Sequence, residues 1–198
     1  AYHDCAIQAG TGAAVCWGYN QYGQSTPPPS VNGTAGTATA ITVGDYHSCA
    51  IQAVTSAVVC WGSNNVLPGN YYTGQATPPA SVNGTAGTAT AIEAGHDHTC
   101  AIQAGTRAVI CWRENAYAPG RAIPPDSVDG TNGTAIAISA GNFRTLAIET
   151  PECSDGLDND GDTSVDLDDP DCVDGSDDHE AYLVCGNGVD DDGDGLTD

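Results

Sequence analysis

YHSCAIQAVTSAVVCWG, residues 46–62, decides how this chain is read, because it is written three times. YHDCAIQAGTGAAVCWG fills residues 2–18 and DHTCAIQAGTRAVICWR fills 97–113. Between the copies run SVNGTAGTATAITVG (30–44), SVNGTAGTATAIEAG (81–95) and SVDGTNGTAIAISAG (127–141). A fourth unit opens with NFRTLAIE from Asn142 and stops. Length varies in one Pro/Gly/Asn/Tyr-rich loop per unit, such as SNNVLPGNYYTGQATPP from Ser63, and insertions confined to one loop mark a repeat architecture. The units fall at roughly 1–44, 45–95 and 96–141, with a partial unit at 142–150. Residues 151–198 form a second region of different composition.

Each unit predicts three strands. TATAITV alternates apolar and small polar residues and is rich in Thr and β-branched side chains. HSCAIQA and AVVCWG follow, joined by a two-residue turn around Val54 and Thr55. The cysteines pair at constant spacing: Cys5 with Cys16, Cys49 with Cys60, Cys100 with Cys111. Across a tight hairpin that spacing sets the two sulfurs opposite each other, in a narrow pair within reach of a disulfide. The fourth unit is an internal control. It has no second hairpin strand, and Leu146 stands where the first cysteine would be, so both partners vanish together. Each short loop so closed contributes roughly 2–3 kcal/mol through chain entropy. These strands need it, being rich in alanine in a chain with a single phenylalanine. One face of the second hairpin carries Cys49, Ile51 and Val58, and the other Ala50, Val59 and Trp61. A sheet apolar on both faces must be covered on both, as a propeller blade is.

The strings H-x-C-A-I, V-x-C-W-G and N-x-x-G-Q (NQYGQ from Asn20 to Gln24) resemble the RCC1-type repeats of β-propellers over roughly residues 1–150. The third unit departs, with Arg113 for the glycine after tryptophan and no GQ following. The resemblance implies an all-β fold of RCC1-like blades, about three in an open array, followed by a loop-rich tail. The eukaryotic namesake is a chromatin-bound nucleotide exchange factor, and that activity does not carry over, since it depends on loops and a surface charge this chain lacks. Three blades do not close a ring, for which four to eight are usual. Ala1 falls inside a repeat with no start methionine or signal peptide before it, which is expected of a processed chain or an excised piece of a longer propeller. The chain opens on the second strand of a unit and closes with surplus first and second strands. The expectation from that phase is head-to-tail self-association into an extracellular filament.

Composition narrows the partners. Twenty-six acidic residues face four arginines and no lysine, a formal charge of −22. That sign excludes binding to the nucleic-acid backbone and to anionic membrane surfaces. No apolar run is long enough for membrane insertion as a helix. Nine cysteines without a CxxC pair predict an oxidising, extracellular or cell-surface setting.

Nineteen of the 26 acidic residues lie from Glu149 onward. CSDGLDNDGDTSVDLDDPDC from Cys153 places Asp158, Asp160, Asp162 and Asp166 at positions 1, 3, 5 and 9 of an EF-hand-like loop. CGNGVDDDGDGLTD from Cys185 repeats the pattern with Asp190, Asp192, Asp194 and Asp198. Alternate aspartates in a tight turn converge several hard oxygens, which suits calcium, whereas zinc or copper would want imidazole or thiolate. Thr163 replaces the turn glycine of the first loop, and neither loop has a glutamate at position 12. The segments resemble the Cys-bracketed DxDxDG modules of bacterial surface proteins, and thrombospondin type 3 and dockerin calcium loops. Cys153 and Cys172 bracket the first module as a disulfide pair, and Cys185 is left odd.

His3, His47 and His98 recur two residues before the first cysteine of each unit, and such triplication reads as packing or hydrogen bonding rather than catalysis. His96 and His98 form an HxH with no evident third metal ligand. Sequons at Asn32, Asn83 and Asn132 read first as Asn-Gly turn chemistry and are also compatible with glycan attachment. No nucleophile elbow, phosphate loop or dinucleotide fingerprint occurs, so no enzyme is expected. Only Glu93, Asp97 and Glu114 could supply a carboxylate pair within the repeats. Two functions stand side by side: a structural or adhesive filament subunit, and a binding module whose loops, such as Asn64 to Pro79, recognise a glycan or a protein.

Overall fold

The computed structural model describes residues 2–66, 71–113, 122–158, 165–168 and 172. Its strands are β1 (His3–Ile7), β2 (Ala14–Gly18), β3 (Ala38–Val43), β4 (His47–Gln52), β5 (Val58–Gly62), β6 (Asn65–Val66), β7 (Tyr71–Tyr72), β8 (Ala89–Ala94), β9 (Thr99–Gln103), β10 (Val109–Trp112), β11 (Ala135–Ala140) and β12 (Thr145–Glu149). Two single-turn 3-10 helices, Glu152–Ser154 and Asp166–Asp168, are the only helical segments among the described residues. The fold is all-β and the sheets are small and antiparallel. The first holds β1-β2, the second β3-β4-β5, the third β8-β9-β10 and the fourth β11-β12, with β6-β7 a short ribbon in the variable loop.

The hairpins pair in the register that the cysteine spacing predicts: Cys5 opposite Cys16, Cys49 opposite Cys60, Cys100 opposite Cys111. Each pair is a disulfide with Cα atoms 4.1, 4.1 and 4.0 Å apart, the narrow separation of a non-hydrogen-bonded pair. The connecting loop differs from the two-residue turn. Gln52 N–H bonds to Ala57 O and Ser56 N–H to Gln52 O, so residues 53–56 form a four-residue loop. Adding one residue on each side leaves the register unchanged, which is why the spacing alone could not distinguish the two. The last loop residue has positive φ in each unit, Gly12 (70°), Ser56 (56°) and Arg107 (58°).

Every first strand carries a bulge at one place, between Ala38 and Ala40, Ala89 and Ala91, and Ala135 and Ala137. In the second and third sheets the skipped threonine repairs the ladder, Thr39 Oγ1 donating to Ile51 O (3.5 Å) and Thr90 Oγ1 to Ile102 O (3.4 Å). The SVNGTAGT segments form turns in which Asn32 and Asn83 Oδ1 accept from Thr34 and Thr85 N–H, both at 3.0 Å. Their Nδ2 atoms donate to Pro27 and Pro78 carbonyls, both at 3.2 Å. In the third unit Asp129 takes that place, bonding Thr131 N–H at 2.9 Å, and Asn132 is exposed three residues further on.

The core lies between sheets, as two-faced apolar strands require. Cys49, Ile51 and Val58 of the second sheet meet Ile92, Ala101 and Trp112 of the third, while its opposite face sets Ala50, Val59 and Trp61 against Ala14 and Val31. A third layer, with Cys100, Ile102 and Val109 against Ala135 and Ile138, seats the fourth sheet. The two sequence-predicted faces of the second hairpin are therefore the two junction faces.

Cys153 is fully buried and bonded to Cys172, with Cα atoms 5.6 Å apart. Arg107 Nη2 donates to Ser154 O (2.5 Å), fastening the start of the tail to the third unit. Of the calcium-loop residues, Asp158 is exposed and Asp166 opens a 3-10 turn. Asp160, Asp162, Asp190, Asp192, Asp194 and Asp198 lie outside the described residues, as do Glu114 and Cys185.

Candidate functional site: the junctions and the ends of the stack

Each junction between sheets holds one polar relay inside the apolar layer. His3 Nε2 meets Ser48 Oγ at 2.7 Å, His47 Nε2 meets Thr99 Oγ1 at 2.9 Å, and His98 Nε2 meets Thr145 Oγ1 at 2.9 Å. Ser48 in turn donates to Gln24 O (2.9 Å) and Thr99 to Gln75 O (3.0 Å). A hydroxyl has one proton and a carbonyl only accepts, so the imidazole donates from Nε2 and its Nδ1 is unprotonated. Both glutamine carbonyls also accept an indole N–H from the following unit, Trp61 at 2.8 Å and Trp112 at 2.9 Å. Repeated H, S/T, W and GQ thus form one hydrogen-bonded set. The sequence marks the histidines as packing or hydrogen-bonding groups, and all three hydrogen-bond; the hydroxyl beside the cysteine and the glutamine of the loop were missed as their partners.

The imidazoles fit because glycine lies under them. A Cβ on Gly44 would stand 2.2 Å from His47 Cε1, and one on Gly95 2.1 Å from His98 Cε1. Burial drives His47 down to about 3, with His3 and His98 adding to the effect, and burial likewise lowers His3. His3 and His47 are neutral structural donors, and no group of three His, Cys, Asp or Glu suited to a metal occurs among the described residues.

A row of rings crosses one end of all four sheets: Tyr2, Tyr19, Tyr22, Tyr46, His96 and Phe143, with successive centroids 5.2–6.4 Å apart. In the third unit Asp97 replaces the tyrosine, and its carboxylate takes Arg113 Nη2 at 3.0 Å, both side chains being buried. That pair accounts for the arginine at the glycine position after tryptophan. His96 moves into the row and bonds Asp45 Oδ2 at 3.2 Å. Asp97 is thereby committed to Arg113, and burial raises the Glu93 carboxyl while the Ala140 N–H pulls it the other way. Asp97 is therefore not a free member of a catalytic pair.

The two outer faces are the halves of this junction that no sheet covers among the described residues. On the first sheet Trp17 is 52 % exposed, against 7 % for its counterpart Trp112, and Val15 beside it is also exposed. On the fourth sheet Leu146 and Ile148 are 64 % and 60 % exposed, whereas Cys49 and Ile51 at the equivalent places are buried. Among the described residues no third strand lies beside β12, and a groove of about 500 Å³ lined by Val109, Cys111, Val128 and Ala147 lies there.

No protein-family model matches the chain, and no curated protein matches it in sequence. Solved structures do share the fold. The CRINKLY WD40 ectodomain of the receptor kinase ACR4 from Arabidopsis thaliana superposes with a TM-score of 0.52 at 21% identity, over 77% of this chain and 44% of that one. The ectodomain of the receptor kinase CR4 from Physcomitrella patens gives 0.50 at 22% identity, over 76% and 39%. Prp20p of Saccharomyces cerevisiae, the yeast RCC1, described with its binding to Gsp1p and histones, gives 0.51 at 17% identity, over 75% and 42%. The blades are of RCC1/WD40 propeller type, and this chain spans less than half the length of these neighbours.

Proposed function

We propose that this chain is an extracellular structural protein, a filament subunit or surface adhesin that self-associates head to tail. The observation that carries the reading is the pair of exposed end faces: Trp17 and Val15 at one end, Leu146 and Ile148 at the other, which are the unlike halves of a junction made three times inside the chain. A heterologous contact of that kind builds an open polymer when the rotation does not close. Four disulfides suit an oxidising exterior. Calcium held by the aspartates of residues 158–198 is the part of the reading that concerns the tail. Negative-stain electron microscopy and sedimentation of the oxidised chain test the assembly. Polymers with a regular axial repeat are expected, and a monodisperse monomer across the accessible concentration range overturns it.

The row of rings from Tyr2 to Phe143 favours a second reading, a binding module, because a line of aromatic faces can stack against a sugar or an extended peptide. Ligand-dependent stabilisation of a monomer, lost in Tyr22→Ala, is the result that would prefer it.

A further inference from the structure

The polar part of the junction between copies can be read from where the two ends break the repeat; this inference rests on the head-to-tail reading above. Inside the chain the rule is constant. The histidine of one unit (His3, His47, His98) bonds the hydroxyl of the next (Ser48, Thr99, Thr145) at 2.7–2.9 Å. Backbone register identifies the residues at the same places in the outer sheets. Gly141 N–H donates to Arg144 O at 2.8 Å, as Gly44 does to His47 O and Gly95 to His98 O at 2.9 Å. Arg144 therefore occupies the histidine position of the fourth unit. At the other end Asp4 lies opposite Trp17, as Ser48 lies opposite Trp61, so Asp4 occupies the hydroxyl position of the first unit.

The chain thus departs from its own pattern at two places that would face each other across a head-to-tail contact. One becomes a side chain that only donates, the other a side chain that only accepts. Both are exposed. The basic partner is scarce, one of four arginines in a chain with 26 acidic residues. Its place is also roomier than the histidine's: a Cβ on Gly141 would lie 3.8 Å from Arg144 Cγ, where Gly44 and Gly95 admit none.

We infer that Arg144 of one copy and Asp4 of the next form an ion pair at the head-to-tail junction, replacing the histidine–hydroxyl bond of the inner junctions. The pair also selects the end. A carboxylate at the Asp4 position, covered by a unit carrying a neutral histidine, would be buried without its counter-charge, a cost that the arginine-bearing end alone removes. Correct stacking is favoured by attraction and wrong stacking penalised by desolvation.

Charge exchange tests this in the full chain. Asp4→Arg carries arginine at both ends and Arg144→Asp carries carboxylate at both, so each alone is expected to raise the critical concentration for assembly about tenfold or more. Mixed in equal amounts the two variants should co-assemble in alternation, at a concentration within about threefold of the native chain. Unfolding midpoints equal to the native chain's show that the variants are folded. Single variants that assemble like the native chain overturn the ion pair, as does a mixture that stays apart. Trp17→Ala separates the two levels of the argument. If it blocks assembly while the charge variants do not, head-to-tail stacking stands and the ion pair falls; if the native chain never assembles, both fall.

Discussion

Trp112 and Trp17 hold the same place in their units, yet one is 7 % exposed and the other 52 %. Around Trp112 a neighbouring sheet supplies Cys49, Ile51 and Val58, and the Gln75 carbonyl takes its indole N–H. Around Trp17 the same kind of sheet ends in solvent. Leu146 and Ile148 repeat the contrast from the other side, since their counterparts Cys49 and Ile51 are buried. An inner junction and an outer face are thus one surface in two states, covered and uncovered. The stack is held by a contact that it also leaves available.

That contrast can be broken at several points. The largest effect should come from the tryptophans. Trp112→Ala removes a buried ring and leaves a carbonyl with one donor fewer, so denaturant unfolding should show a loss of about 3–5 kcal/mol. Trp17→Ala should cost the folded monomer less than about 0.5 kcal/mol. Equal losses at the two sites would mean that Trp17 is covered within the monomer and that the outer face is not free.

A smaller effect is carried by pH. His47 takes up a proton in the unfolded chain near 6.5 but in the folded protein only near 3. Between those values the unfolded state holds more protons, so the contribution is whole above about pH 6.5 and is lost progressively as pH falls toward 3. Urea unfolding from pH 7.5 down to 4.5 should show this slope, and His47→Gln should flatten it. A slope unchanged in that variant would place the titration elsewhere.

The smallest effect on the blades should follow chelation of calcium. Protease sensitivity should rise after Glu149 while the thermal midpoint of the repeats stays within about 2 °C, because among the described residues the tail meets the blades at Arg107 and through the first residues after Glu149. Unchanged digestion of the tail would remove calcium from the reading.

Much of this was legible because the chain repeats itself. Three copies of one string set the strands, the cysteine register and the two apolar faces of Cys49/Ile51/Val58 and Ala50/Val59/Trp61. Other features were hidden for identifiable reasons. A four-residue hairpin loop preserves the register of a two-residue one, so spacing cannot separate them. The bulge at Ala38–Ala40 leaves no mark in an alternating Thr/Ala strand beyond the threonine itself. The His–hydroxyl–carbonyl relay joins residues about a whole unit apart, beyond the reach of local pattern. Arg113 read as a defect at a glycine position, and only its contact with Asp97 shows that two substitutions compensate each other.

The Asn-Gly turns have a consequence for the length of such chains. Asn32 and Asn83 close identical elbows by bonding only within their own unit, to Thr34 and Pro27, and to Thr85 and Pro78. The two elbows have the same hydrogen bonds although the loops before them differ in length. A gene built from such units can therefore be extended or shortened by unequal recombination without redesign of any seam. Reach then becomes a quantity that mutation can adjust in whole steps.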